Sequence, residues 1–203
     1  MKVIGLCGGS GSGKGTASSI FMELGIPSID TDAIYREMTR GDSSCMQALV
    51  DAFGQGVVND RGGLDRVRLG EIVFADSDKL KLLNTITHRF ILDETRRRIK
   101  LFADSGYSAV LVDAPVLFES GFDSECDEII CVIADNGVRA DRIIYRDGIS
   151  REKAYARINS QMSNEELVSR CNYVIHNDSD VESLRAGVSA LAKILLDNKT
   201  KGE

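Results

Sequence analysis

The stretch GLCGGSGSGKGTAS, residues 5–18, sets five glycines ahead of a single lysine, Lys14, directly behind the short apolar run KVIGLC. So bare a backbone is too irregular for the middle of a helix and too unsupported for the middle of a strand, so it has to be a loop between the two. Gly8-x-x-x-x-Gly13-Lys14 fits a phosphate-binding loop: without Cβ atoms, successive N–H groups can curl round an anion, the following helix adds the positive end of its dipole, and Lys14 brings a full charge. The Gly-x-Gly-x-x-Gly dinucleotide reading finds glycines at Gly8, Gly11 and Gly13 but not at its own spacing, and it has no use for Lys14 or Thr16. One departure stands out. A hydroxyl residue usually follows the lysine to ligate magnesium, and here Gly15 does, with the hydroxyl one place later at Thr16.

The rest of the chain is consistent with one folding unit around that loop. At 203 residues it can bury a sizeable core, with room for inserted subdomains, but is too short to assume two independent domains. Its net charge of -6 excludes a broad electrostatic grip on nucleic acid, while leaving room for a local basic pocket for a small phosphorylated molecule. The apolar run at the N-terminus is too short for a signal peptide or a membrane span, and five cysteines without a CxxC pair argue against a disulfide framework. A cytoplasmic setting is therefore expected, with no membrane and no obligate protein partner. Cys126 and Cys131 lack a nearby histidine to complete a metal set and read as inert thiols.

Apolar runs at KVIGLC (2–7), AVLVD (109–113), EIICVIA (128–134) and YVIHN (173–177), with the shorter IPSID (26–30), predict strands buried on both faces. Helix-patterned segments at 15–24, 79–103, 137–146, 151–161, 164–171 and 180–196 alternate with them. That order predicts an α/β fold with a five-stranded parallel sheet flanked by helices, the P-loop NTPase class. Residues 1–32, 103–138 and 172–203 are assigned to its nucleotide-binding core. The interval 33–102 reads as an inserted helical subdomain on the substrate side, and the arginine-rich 139–171 as a small lid.

Three acidic residues stand at or just beyond predicted strand ends. In IDTDAIYRE, Asp30 and Asp32 follow the second strand at the sheet edge where open α/β folds bind ligands. Asp32 is a candidate to accept a hydroxyl proton or orient an attacking oxygen, and Asp30 is either functional or a cap. Asp113, closing the run VLVDAP, either holds magnesium-bound water or shapes the turn before Pro115.

The loop sequence GKGT resembles that of adenylate kinases, which implies a kinase fold in which Mg²⁺ is held largely through waters and carboxylates. Taken together, GLCGGSGSGKGT, LGIPSIDTDAIYRE, LNTITH, DAPVLFE, RIIYRDGISREKAYARINSQ and YVIHN resemble the dephospho-CoA kinase family in order and spacing over nearly the whole chain. The resemblance implies an enzyme that transfers the ATP γ-phosphoryl group to the ribose 3'-hydroxyl of dephospho-CoA, the final step of coenzyme A biosynthesis. It further implies that Gly11, Ser12, Gly13, Lys14, Gly15 and Thr16 bind ATP phosphates, with Thr16 and Asp113 on the Mg²⁺ side. Asp32 then acts as base or orienter, Arg142 steadies the transferring phosphoryl, and Arg146 belongs to a closing lid over ATP. Arg36, Arg66, Glu119 and Gln161 match recurring family positions without assigned roles, and His88 is either a substrate contact or a structural helix residue. The chain departs from the family pattern at Cys7, Gly15, Arg89 and Arg139, the last standing where glutamine is common. Two rivals remain at this point. Another nucleotide kinase would share the loop, whereas a regulatory switch lacks support because NKTK at Asn198 misses the aspartate of a guanine motif.

Overall fold

The computed structural model describes residues 1–197, so the NKTK tail and the end of the 172–203 segment lie outside the described residues. Each apolar run does form a strand: β1 (Lys2–Cys7), β2 (Ser28–Asp30), β3 (Ala109–Asp113), β4 (Glu128–Ile133) and β5 (Tyr173–His176). They build one sheet in the order β2-β3-β1-β4-β5, and β1 runs parallel to both β3 and β4, as β5 does to β4. The α/β class and five-stranded parallel sheet expected from the sequence are thus what the chain adopts. All five residues of β3 are buried, as a central parallel strand covered on both faces requires.

The chain divides into two compact units, one of Met1–Ile29 with the described residues from Ile99 onward, the other of Asp30–Arg98. In the first, α1 (Lys14–Glu23) and α9 (Val181–Asp197) cover the sheet. Ile20 and Phe21 of α1 and Val188 and Leu191 of α9 join Leu6, Leu111, Ile130 and Val132 in the main core. Three further helices, α6 (Asn136–Asp147), α7 (Arg151–Asn159) and α8 (Asn164–Arg170), occupy the arginine-rich segment, and α6 and α7 share a small core of Ala140, Ile143, Ala154 and Ile158.

The second unit is helical: α2 (Thr31–Met38), α3 (Ser44–Phe53), α4 (Arg66–Phe74) and the larger part of α5 (Ser77–Asp104). Cys45, Met46, Leu49, Val57, Leu69 and Val73 form its own core. Its helices begin where short polar side chains cap them. Asp30 accepts from Ala33 N, Ser43 from Met46 N, and Asp65 from Val67 N and Arg68 N. The cap at Asp30 makes α2 start immediately after β2, with no loop between.

On α5, Glu94 accepts from Arg97 and Arg98, which hold its carboxyl down at about 2. Because its folded value lies below the unfolded one, this interaction is complete above about pH 4.3 and lost as pH falls toward 2. In Glu94→Gln, the loss of stability across that acid window should be shallower than in the parent, measured by urea melts at stepped pH. In the main core, Leu111→Ala should cost about 2–5 kcal/mol, read as a lowered urea midpoint at unchanged slope.

Candidate active site

β1 delivers the chain to the loop at Cys7, and α1 takes it away at Lys14. Two of the glycines are required by what presses on them. Gly11 has φ 79°, and a Cβ there would lie 2.5 Å from the Arg139 carbonyl oxygen; Gly13 has φ 91°, and a Cβ would lie 2.1 Å from Asn177 Nδ2. No residue with a side chain fits either place without displacing the backbone or amide it would strike. Gly15 differs, since nothing lies within 4 Å of a Cβ added there. The departure at Gly15 therefore removes a hydroxyl without being demanded by packing.

The loop is held from outside by three side chains. Arg139 is 1% exposed and donates from Nε to the Ser10 carbonyl at 2.9 Å, from Nη2 to Gln161 Oε1 at 3.1 Å and from Nη1 to Asn136 Oδ1 at 3.2 Å. Gln161 Oε1 also accepts from Ser10 N at 2.9 Å, so its amide bridges loop and guanidinium. On the other side, Asn177 Nδ2 donates to the Ser12 carbonyl at 2.7 Å. Arg139 meets neutral acceptors throughout, and burial pulls its guanidinium below its usual value. It remains a cation, so it adds fixed positive charge beneath the phosphate loop.

α1 begins with Gly13 as its cap and no side-chain hydrogen bond, and with no acidic residue in its first turn. The N-terminal N–H groups of a helix are left without intrahelical acceptors, and here no carboxylate competes with an incoming anion for them. Lys14 Nζ is paired with the Asp113 carboxylate, which closes β3 and is 7% exposed. Thr16 is exposed on the first turn of α1. Ser12 Oγ is buried and lacks a hydrogen-bond partner, an unspent group inside the loop.

Arg142 of α6 donates to the carbonyls of Asn177 at 2.9 Å and Gly11 at 3.3 Å, and from Nη2 to Ser179 O at 3.3 Å. Gly11 to Thr16, Lys14, Asp113 and Arg142 are thereby gathered at one place in the first unit. Arg146 is not drawn into that set: it is exposed and forked onto Asp147 at 2.7 and 2.9 Å, with Arg157 on the same carboxylate. Glu119 is exposed after β3. Cys7 is buried, its sulfur 3.6 Å from that of Cys171.

The remaining candidates belong to the second unit. Asp30 is the α2 cap and also pairs with Arg36 at 3.2 Å. Asp32 is exposed in the first turn of α2, where a carboxylate is favoured by the helix dipole. Arg66 lies over the Tyr35 ring, 5.2 Å from its centre, and His88 is half-buried on α5.

The sequence reading missed the clamping roles of Arg139 and Asn177. Arg139 was noted only as a departure from a family glutamine, and Asn177 only as the end of YVIHN. Their signal was positional: an arginine one turn into the helix after β4 and an amide directly after β5 both leave the carboxyl edge of the sheet, where the loop sits.

A family model described as dephospho-CoA kinase matches residues 2–183 of the chain. A dephospho-CoA kinase of Carboxydothermus hydrogenoformans is 40% identical over 185 residues, covering 91% of this chain and 90% of that protein. One from Bacillus cereus is 39% identical over 191 residues, 94% of this chain and 96% of its own length. Among solved structures, a Thermus thermophilus protein superposes with TM-score 0.79 at 31% identity, covering 95% of this chain and 97% of that one. Shikimate kinase from Acinetobacter baumannii, at TM-score 0.55 and 15% identity, covers 99% of this chain and 96% of its own and shares the fold.

The clamp can be tested without turnover. Arg139→Met keeps the bulk and removes the donor to the Ser10 and Asn136 oxygens, so ADP affinity should fall roughly 10- to 100-fold, from about 1–3 kcal/mol for buried acceptors left unpaired. Arg139→Lys should recover little, because one ammonium on a longer stem cannot span the same acceptors. Titration calorimetry with ADP would measure both.

Proposed function

Since this chain belongs to the dephospho-CoA kinase family, we propose that it transfers the γ-phosphoryl group of ATP to the ribose 3'-hydroxyl of dephospho-CoA, completing coenzyme A. The observation that supports a transferase most directly is the phosphate loop: preformed, clamped by Arg139 and Asn177, opening an uncapped helix, with Lys14 on the carboxylate that closes β3. The backbone of such a loop is already shaped to receive phosphate oxygens, so of the groups named here only the Lys14 side chain has to move. Among the described residues no helix is long and apolar enough to cross a membrane.

In this reading the N–H groups from Gly11 to Thr16 hold the ATP phosphates. Lys14 leaves Asp113 for the β- and γ-phosphate oxygens, where its charge offsets the negative charge gathered for reaction. Asp32 accepts the proton of the acceptor hydroxyl as its oxygen attacks in line. Arg142 is seated by the Gly11 and Asn177 carbonyls and offers its remaining N–H groups to the transferring phosphoryl. Arg146, exposed and forked onto Asp147, belongs to segment 139–171, which we assign as the lid over bound nucleotide. Residues 33–102 carry the acceptor, and the remaining segments form the nucleotide core.

Magnesium suits the donor set. Among the described residues no group of three acidic, histidine or cysteine side chains could enclose a metal, and Mg²⁺ is characteristically held by one or two carboxylates, waters and substrate phosphates. Asp113 and the Thr16 hydroxyl would hold it, chiefly through water. Bound there, it supplies charge neutralisation on the phosphate oxygens.

Incubation with Mg·ATP and dephospho-CoA, with AMP, CMP and uridine in parallel, should yield a phosphorylated acceptor in the first mixture alone; comparable turnover of the others would overturn the assignment. Asp32→Asn should lower kcat about 10²- to 10⁴-fold while ATP affinity stays near that of the parent. Lys14→Ala should depress both, and unchanged kinetics would refute the role of the loop.

A further inference from the structure

The second unit contains a recess of about 480 Å³ lined by Arg36, Arg40, Arg61 and Arg66 together with Thr39 and Asn59. No carboxylate lines it, although the chain carries 31 acidic residues against 25 basic ones. Four guanidinium groups on one small concave surface repel one another, a cost that a folded protein recovers when an anion enters.

Arg36 and Arg66 are held by side-chain contacts, and the backbone that presents Arg40 and Arg61 is fixed by the turn around Asn59. Thr39 Oγ1 donates to Tyr35 O at 2.7 Å and accepts from Arg66 Nη2 at 3.5 Å, and Arg66 also lies over the Tyr35 ring. The turn that presents Arg61 is organised by Asn59, whose Oδ1 accepts from Arg61 N at 2.9 Å and Gly63 N at 3.1 Å. That turn is tied to the end of α2, beside Arg40, because Leu64 N donates to Thr39 O at 3.0 Å. Arg36 pairs with Asp30, half-exposed on both sides. Among the described residues, the side chains of Arg40 and Arg61 have no carboxylate within ion-pair distance. Asp42 and Asp60 are their near neighbours in sequence but do not line the recess.

A planar donor fork suits phosphate oxygens, and several forks round one cavity suit a group with more than one phosphate. We propose that this recess binds the diphosphate of the acceptor, with Arg40 and Arg61 supplying the charge that is not otherwise engaged and Arg36 and Arg66 completing the ring. The inference rests on the acceptor reading given above, since dephospho-CoA is a diphosphate diester whose bridging group carries two negative charges.

The test separates the recess from both the phosphate loop and the acceptor assignment. Inorganic pyrophosphate is titrated calorimetrically, without magnesium, into protein saturated with ADP so that the loop is filled. The parent should bind it, and Arg40→Ala with Arg61→Ala, both at exposed positions, should weaken binding roughly 10-fold or more. A charge-matched control, Lys79→Ala with Lys81→Ala at the outer start of α5, should bind as the parent does. In steady-state assays the double arginine variant should raise KM for dephospho-CoA by a similar factor with kcat retained. Pyrophosphate binding that is absent from the parent, or the same in the double variant, would overturn the proposal even if dephospho-CoA is a good substrate. If dephospho-CoA is not phosphorylated at all, arginine-dependent pyrophosphate binding still establishes the recess as a diphosphate site and the fault lies with the choice of acceptor.

Discussion

A buried guanidinium with only neutral acceptors around it fixes the shape of the phosphate loop. Arg139 is the largest side chain wholly enclosed in the described chain, and it is satisfied by the Ser10 carbonyl and by amide oxygens from Gln161 and Asn136. An ion pair at that place would cancel the charge. Amides satisfy the donors and leave the field intact, at the cost of burying a cation that only good hydrogen bonding makes tolerable. The glycines follow from the same contact: a Cβ at Gly9 would lie 2.2 Å from Arg139 Nη2, and one at Gly11 would meet the Arg139 backbone. Loop composition and clamp are one constraint seen from two sides.

That constraint also explains how segments far from the loop in sequence hold one loop. Gln161, after α7, holds the loop at Ser10 and Asn177, after β5, holds it at Ser12, and Arg142 grips Gly11 and Asn177 together. The segment 139–171 thus begins with residues that support the loop and continues to residues such as Arg146 that are turned to solvent. Lys14 pairs with Asp113, which sets a cation against the buried carboxylate at the end of β3.

The strands were legible because parallel sheets buried on both faces write themselves as continuous apolar runs, and AVLVD and EIICVI leave little choice. The loop was legible because its chemistry is local, carried by Gly13 and Lys14 in a contiguous stretch. What the sequence did not show depends on distance along the chain. Arg139 to Ser10 and Asn177 to Ser12 are contacts across more than half the molecule, invisible to periodicity. Helices α3 and α4 were blurred into one helical interval because their apolar residues pack within a small local core and follow short capped turns at Ser43 and Asp65. Asp30, which sequence left between a functional and a capping role, caps α2 and also pairs with Arg36.

The strand order carries a consequence for how the chain assembles. β1 is the first strand to be synthesised, yet it is central, and its partners are β3, from Ala109, and β4, from Glu128. The sheet therefore cannot close until β5 exists, and the phosphate loop cannot be fully clamped until Asn177 does. Asp30–Arg98, by contrast, builds its core from contacts within one contiguous stretch, so its loop-closure entropy is smaller. On a growing chain the helical insertion is complete first, and the unit that interrupts the sheet in sequence precedes it in time.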